Sequence, residues 1–302
     1  MTATRVGVIV NRNARKHLRK PELADAYRAA GAVVYETGSL DELPDVCRDL
    51  GDAGVETVAL SGGDGAVHRG LSALIAAWEG TPPTIAILPA GTMNTVARGL
   101  GVRGGPLAAL HRAVSETPLL RTRRPIDAGN GKLGFLVGTG FWARFLQAYD
   151  ARTGPGGVRA AAVLTRGLAS TAVRGTFVRD MFAPIEAVVD WNGERMEQEQ
   201  FTMIAAGVVP SVGLGFSPFR GVLDVPESLH ALAFSSSPMR VARQLPALFR
   251  GHEPAVPDRG GVVQSLRVQS SMALDWAIDG DVQEPTRDLS LRCGPSLSFV
   301  IG

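Results

Sequence analysis

At 302 residues, 45% hydrophobic and 20% charged, the chain has the composition of a globular cytoplasmic protein with roughly two domains. Its two cysteines, Cys47 and Cys293, argue against a disulfide framework, and no Cys/His spacing suggests zinc. The net charge of +2 hides a basic stretch: residues 101–180 hold 12 Arg/Lys against 4 Asp/Glu, which suits either an anionic surface or a solvated arginine-rich face.

The first apolar run, 6–10, stops at Asn11 and is too short for a signal-peptide core. No run approaches the ~18 apolar residues of a spanning helix, so an activity on lipid would reach the membrane from the cytosol. Strands are expected at 6–10, 32–35, 55–60 and 84–88. Helices are expected at 21–30, 40–50, 66–78, 94–100 and 107–114. This alternation predicts βαβ units and a parallel sheet.

After about Thr122 the pattern changes. Short strand candidates at 133–137, 185–191, 201–209, 229–234, 262–269, 273–278 and 289–291 are punctuated by turns such as Asn130-Gly131 and Asn192-Gly193. Helices are expected at 142–151, 158–173 and 239–249, with a loop at 154–157. The prediction is an α/β domain with a parallel sheet over 1–124 and a β-sandwich domain over 125–289. A final strand within about 290–302 is placed to rejoin the first domain.

The chemistry concentrates in two turns. In Ser61-Gly62-Gly63-Asp64-Gly65-Ala66 a buried strand runs through three glycines into a helix. Glycines there let main-chain N–H groups face an anion at the positive end of the helix. Asp64 alone would repel phosphate; it makes sense if it holds Mg²⁺ or a water on that metal. A tight turn with a capping Asp is the plainer alternative. In Pro89-Ala90-Gly91-Thr92-Met93-Asn94 a second glycine separates strand from helix, now with a hydroxyl and an amide. Both turns lie at carboxyl ends of strands, where open parallel sheets bind ligands. A nucleotide polyphosphate with magnesium is the natural ligand.

These residues resemble a known family. Ser61–Ala66 is similar to the GGDGT signature of diacylglycerol, sphingosine and bacterial lipid kinases. Leu88–Arg98 (LPAGTMNTVAR) resembles their second loop, Ile278-Asp279-Gly280-Asp281 their "DGE" motif, and Asn11 their opening "NP" motif. The resemblance implies a two-domain kinase, with ATP and Mg²⁺ in the cleft and a lipid alcohol received by the second domain. It assigns Ser61, Gly62, Gly63, Asp64 and Gly65 to the nucleotide, with Asp64 also the metal ligand, and Gly91, Thr92 and Asn94 to the same site. Asn11 and Thr37 flank that site. Asp279 or Asp281 becomes the general base, with Asp64 counted beside them as catalytic. The implied partner is a lipid rather than nucleic acid, and a homodimer and a transient contact at the inner membrane surface are compatible.

The sequence also departs from the family. Ala66 replaces threonine, Arg69 stands where glutamate is usual, Arg12 follows Asn11 in place of proline, and Asp281 replaces glutamate. In Phe219–Asp224 only Asp224 remains of an acidic stretch, so no second metal is expected. An NAD kinase or a non-catalytic nucleotide binder are the competing interpretations. His68 reads as a surface or capping histidine, and Phe141, Trp142 and Phe145 as core aromatics or an acyl-chain lining.

Overall fold

Four runs in the first 90 residues become neighbouring parallel strands; those at 6–11, 57–62 and 84–89 are almost wholly buried, as the interior of such a sheet requires, while the edge strand at 33–37 is partly exposed. The structure, a computed structural model, describes residues 5–151, 176–213, 217–235 and 259–302. The helices expected at 158–173 and 239–249 and the loop at 154–157 lie outside the described residues.

In chain order the first elements are β1 (Val6–Asn11), α1 (Arg15–Arg19), α2 (Leu23–Ala29), β2 (Val33–Thr37), α3 (Leu43–Asp52) and β3 (Thr57–Gly62). Then come α4 (Asp64–Ala77), β4 (Thr84–Pro89), α5 (Thr95–Leu100), α6 (Pro106–Ala113) and β5 (Leu120–Arg123). The remainder is mostly β: β6 (Ile126–Asp127), β7 (Leu133–Gly134), β8 (Leu136–Gly140), α7 (Phe141–Asp150), α8 (Thr176–Met181), β9 (Ile185–Glu186), β10 (Val188–Trp191) and β11 (Glu194–Arg195). It continues through β12 (Gln200–Phe201), β13 (Met203–Gly207), β14 (Leu229–Phe234), β15 (Arg259–Val263), β16 (Ser265–Ile278), β17 (Asp281–Cys293) and β18 (Leu297–Val300).

Two compact units result. The first contains residues 1–125, 130–134 and 294–302. Its sheet runs β2-β1-β3-β4-β18-β5, parallel except for the last pair. The helix patterns explain themselves: α3 starts with Pro44 in its first turn and buries Leu43, Cys47 and Leu50 on one stripe. The C-terminal strand β18 lies between β4 and β5.

The second unit contains residues 126–129 and 135–293. Its strands form an antiparallel path, β15-β14-β13-β8-β16-β17-β6, with β10 also on β16. The second half is thus β-rich, as expected, but most of its strands join one hydrogen-bonded path; β9 and β12 pair separately. Segments 262–269 and 273–278 were expected as separate strands. All but Val262, Val263 and Gln264 fall within the single strand β16, where the pairing shifts register between Gln269 and Leu274. Among the described residues, no helix is long and apolar enough to cross a membrane.

Candidate active site

β3 ends at Gly62 and α4 begins at Asp64, so the chain reverses within one residue. β4 ends at Pro89, and Gly91 to Asn94 lead into α5. Because β3 and β4 are neighbours, the two turns meet: the N–H groups of Ala90 and Gly91 donate to the Gly62 carbonyl at 2.9 and 3.0 Å. A Cβ on Gly91 would lie 2.3 Å from Gly63 Cα, so the close approach requires glycine.

The two turns do different work. No side chain caps the 14-residue α4, which leaves the N–H groups of its first turn open at the positive helix end. The first turn of α5 is occupied instead: Asp64 Oδ2 accepts the Thr95 N–H at 3.0 Å and Oδ1 the Val96 N–H at 2.9 Å. Burial pushes the Asp64 carboxyl above its usual range, while those two N–H groups, Arg98 and the Thr95 side chain pull it down. Asn94 holds a left-handed backbone (φ 49°) and spends its amide on the turn, accepting the Gly91 N–H at 2.9 Å and donating to Gly91 O at 3.2 Å. Thr92 is exposed.

A cavity of about 230 Å³ opens at the carboxyl ends of β1, β2 and β3, lined by Asn11, Thr37, Ser61, Ala66 and Arg69 among others. Among the described residues that line it, only Arg69 is charged. Asn11 Oδ1 accepts the Asn13 N–H at 2.9 Å, and the Thr37 hydroxyl donates to Val10 O at 3.3 Å. Side chains alternate across a strand. Leu60 faces Gly70 of α4, and the Ser61 hydroxyl lies on the other face, hydrogen-bonded to His17 and Tyr27. His68 is not a surface residue; it is 3% exposed, and its Nδ1 donates to Leu133 O at 2.7 Å.

In the second unit, Asp279-Gly280 forms the two-residue turn of the β16–β17 hairpin, with Ile278 paired to Asp281. Both residues have positive φ, 47° and 82°, as the type I′ turn requires. Asp279 is 2% exposed and ties the turn to β8: its N–H donates to Leu136 O at 2.9 Å. Its carboxylate accepts the N–H groups of Phe135 and Leu136 at 2.8–3.0 Å. Asp281 is less buried, and its Oδ2 accepts from Gln283 Nε2 at 3.1 Å.

Residues 5–129 match the model of the diacylglycerol kinase catalytic domain. Over these residues, less than half of the chain, it is similar to the diacylglycerol kinase-like lipid kinases. A probable YegS-like lipid kinase of Chromohalobacter salexigens is 34% identical over 122 residues, 38% of this chain and 37% of that protein. A second, from Citrobacter koseri, is 37% identical over 83 residues, 28% of this chain and 27% of its own. The chain therefore spans about a third of these curated relatives. A diacylglycerol kinase structure from Bacillus anthracis strain Sterne superposes with a TM-score of 0.72 over 100% of this chain and 98% of that one. At 18% identity that likeness concerns the fold.

The diacylglycerol kinase domain match includes both glycine turns and Asn11 and Thr37, and stops short of Asp279 and Asp281. The residues present fit a nucleotide and its metal in a particular way. Among the described residues, no three His, Cys, Asp or Glu side chains form a metal cage. Magnesium held mainly by phosphates needs only one or two carboxylates. Asp64 accepts two main-chain N–H groups, one on each oxygen, and a carboxylate has about four acceptor positions, so each oxygen retains a lone pair suited to a water or a cation.

Three side chains around these turns carried no sequence signal. Lys16, His17 and Tyr27 lie on short helices, and their relation to β3 and β4 is tertiary.

Proposed function

We propose that this chain transfers the γ-phosphoryl group of ATP to the hydroxyl of a diacylglycerol-like or sphingoid-like lipid. The observation that carries this reading is the direct contact of the two glycine turns beside the uncapped N-terminus of α4. The open main-chain N–H groups of that helix end, held in place by the contact, suit a polyphosphate. The cavity lined by Asn11, Thr37 and Arg69 has room for the nucleoside part. Magnesium, when bound, supplies neutralisation of the donor phosphates.

The base is assigned to Asp281, because an acceptor alcohol must be reached by a carboxylate with solvent access. Asp279, committed to β8, then positions the turn. Lipid as acceptor agrees with the names of the curated relatives. The basic 101–180 stretch would favour brief contact with an anionic membrane surface.

Labelled ATP incubated with the chain, magnesium and total lipid extract tests this, with NAD in a parallel reaction. A labelled lipid is the expected product. Labelled NADP in its place would shift the assignment to NAD kinase chemistry, and nucleotide binding without any labelled product would leave a non-catalytic binder.

A further inference from the structure

Helix α1 is only five residues long, yet it holds both strands that lead into the glycine turns. The Lys16 N–H donates to Ala90 O at 3.0 Å, and Lys16 Nζ donates to Pro89 O at 2.7 Å. His17 Nε2 lies 2.8 Å from Ser61 Oγ, and Tyr27 OH lies 2.9 Å from the same oxygen. Ser61 immediately precedes Gly62, and Ala90 immediately precedes Gly91. The grip is therefore one residue upstream of each turn, on the sheet face away from the Leu60–Gly70 contact. His17, Ser61 and Tyr27 are 6%, 2% and 0% exposed, so no solvent relieves a mismatch among them.

A hydroxyl has one donor and two acceptor positions. Burial drives His17 below its ordinary range, and burial first of all pushes Tyr27 up to about 12. Near neutral pH the ring is uncharged and the phenol keeps its proton. Tyr27 can then donate to Ser61 while Ser61 donates to an unprotonated Nε2. Protonating His17 removes that acceptor and places a charge in a buried site. The surrounding groups help little. β2 brings Glu36, whose carboxylate is shared with Arg28 at 2.7 Å. α2 brings Tyr27, β3 brings Ser61, the end of β4 brings main-chain carbonyls, and α1 itself adds Lys16, with Arg15, Arg19 and Lys20 close in sequence.

We propose that His17 is a positioning residue for the phosphate-binding turns, holding Ser61 and through it Gly62–Gly65 in the binding geometry only while its ring is uncharged. This rests on the nucleotide reading given above. It requires no contact between His17 and the ligand.

The experiment measures ADP affinity of the full chain by calorimetry from pH 5 to 8, for wild type, His17→Gln and Ser61→Ala, and follows the His17 ring by NMR. Wild-type affinity is expected to fall roughly tenfold as His17 protonates, one pKa unit of coupling. By linkage, saturating ADP should lower the His17 titration midpoint by the same factor. The glutamine variant can present its uncharged amide oxygen as the acceptor in place of Nε2; it should bind like wild type at pH 8 and show only the pH dependence of ADP itself. Ser61→Ala should uncouple the ring from ADP. Identical pH profiles for wild type and His17→Gln, or a His17 midpoint unmoved by ADP, would overturn the inference and leave the nucleotide reading standing. The wild-type NMR result decides even if a variant does not fold. A wild-type chain that binds no ADP at any pH would overturn both.

Discussion

The Asp64 carboxylate accepts the Thr95 N–H at 3.0 Å, so the acid at the head of one glycine turn caps the helix leaving the other. Residues 31 positions apart thereby lock the two turns together. Asparagine at position 64 keeps one oxygen and turns an amino group toward a main-chain donor. Asp64→Asn should cost about 1–3 kcal/mol of stability, the usual range for a buried donor left unpaired. It should also abolish phosphoryl transfer. Urea denaturation beside a labelled-ATP assay checks both, and lost transfer at unchanged stability would mean the carboxylate serves the ligand and not the cap.

Gly91 is the tighter half of the contact between the turns. A Cβ there meets Gly63 Cα at 2.3 Å, whereas one on Gly63 meets Gly91 Cα at 3.3 Å. Backbone faces backbone, so no side chain can swing aside. Gly91→Ala should destabilise by about 1–3 kcal/mol, as overpacking does, and remove ADP binding. Gly63→Ala should be the milder of the two. Thermal denaturation of the pair, run with and without ADP, gives the ranking.

The parallel sheet is legible because short apolar runs alternate with helical segments, and the two turns because glycine spacing is a local signal. α1 was not, for a physical reason: Arg15-Lys16-His17-Leu18-Arg19 has no apolar stripe. Its one large hydrophobe, Leu18, is 68% exposed, while the buried residue is His17. β17 was visible only at 289–291, since most of its earlier residues are polar and at least partly exposed. That stretch is a strand because β16 supplies the partner hydrogen bonds. Asp64 shows the same limit within the site. Its neighbours in sequence suggest a metal, and only the fold reveals that its oxygens also face Thr95 and Val96.

The two aspartates of the hairpin turn should separate in experiment. Asp279 accepts main-chain N–H groups of Phe135 and Leu136 in a buried position. Asp279→Asn should therefore lower stability by about 1–3 kcal/mol. Asp281→Asn should change stability by less than about 1 kcal/mol and abolish turnover with ADP binding intact. If Asp281→Asn retained full turnover, the base would have to be sought elsewhere.

The cysteines give an independent check on the packing. Burial pushes the Cys47 thiol up to about 11, and it is 1% exposed on the buried stripe of α3. Cys293 is only partly covered. The thiolate is the reactive form. At pH 7.5 an alkylating reagent should modify Cys293 and leave Cys47 untouched until denaturant is added. Peptide mass mapping reads the two sites separately, and early labelling of Cys47 would contradict the packing of α3.

Arg69 offers the most direct test of what the cavity holds. It lines the space one turn beyond Gly65, on a helix whose open N-terminus already favours an anion. If a nucleotide lies there, its phosphates and the guanidinium attract. At ~10 Å and an effective dielectric of about 20, one charge pair is worth about 1.7 kcal/mol. Arg69→Gln should therefore weaken ADP binding roughly tenfold, and Arg69→Glu, which reverses the charge, roughly a hundredfold. Both losses should shrink as salt is raised, because partly exposed charges are screened. Calorimetry at two ionic strengths, beside melts in the absence of ADP, separates an electrostatic loss from a folding defect. Equal ADP affinity in wild type and Arg69→Glu would mean that the polyphosphate does not lie beside this cavity.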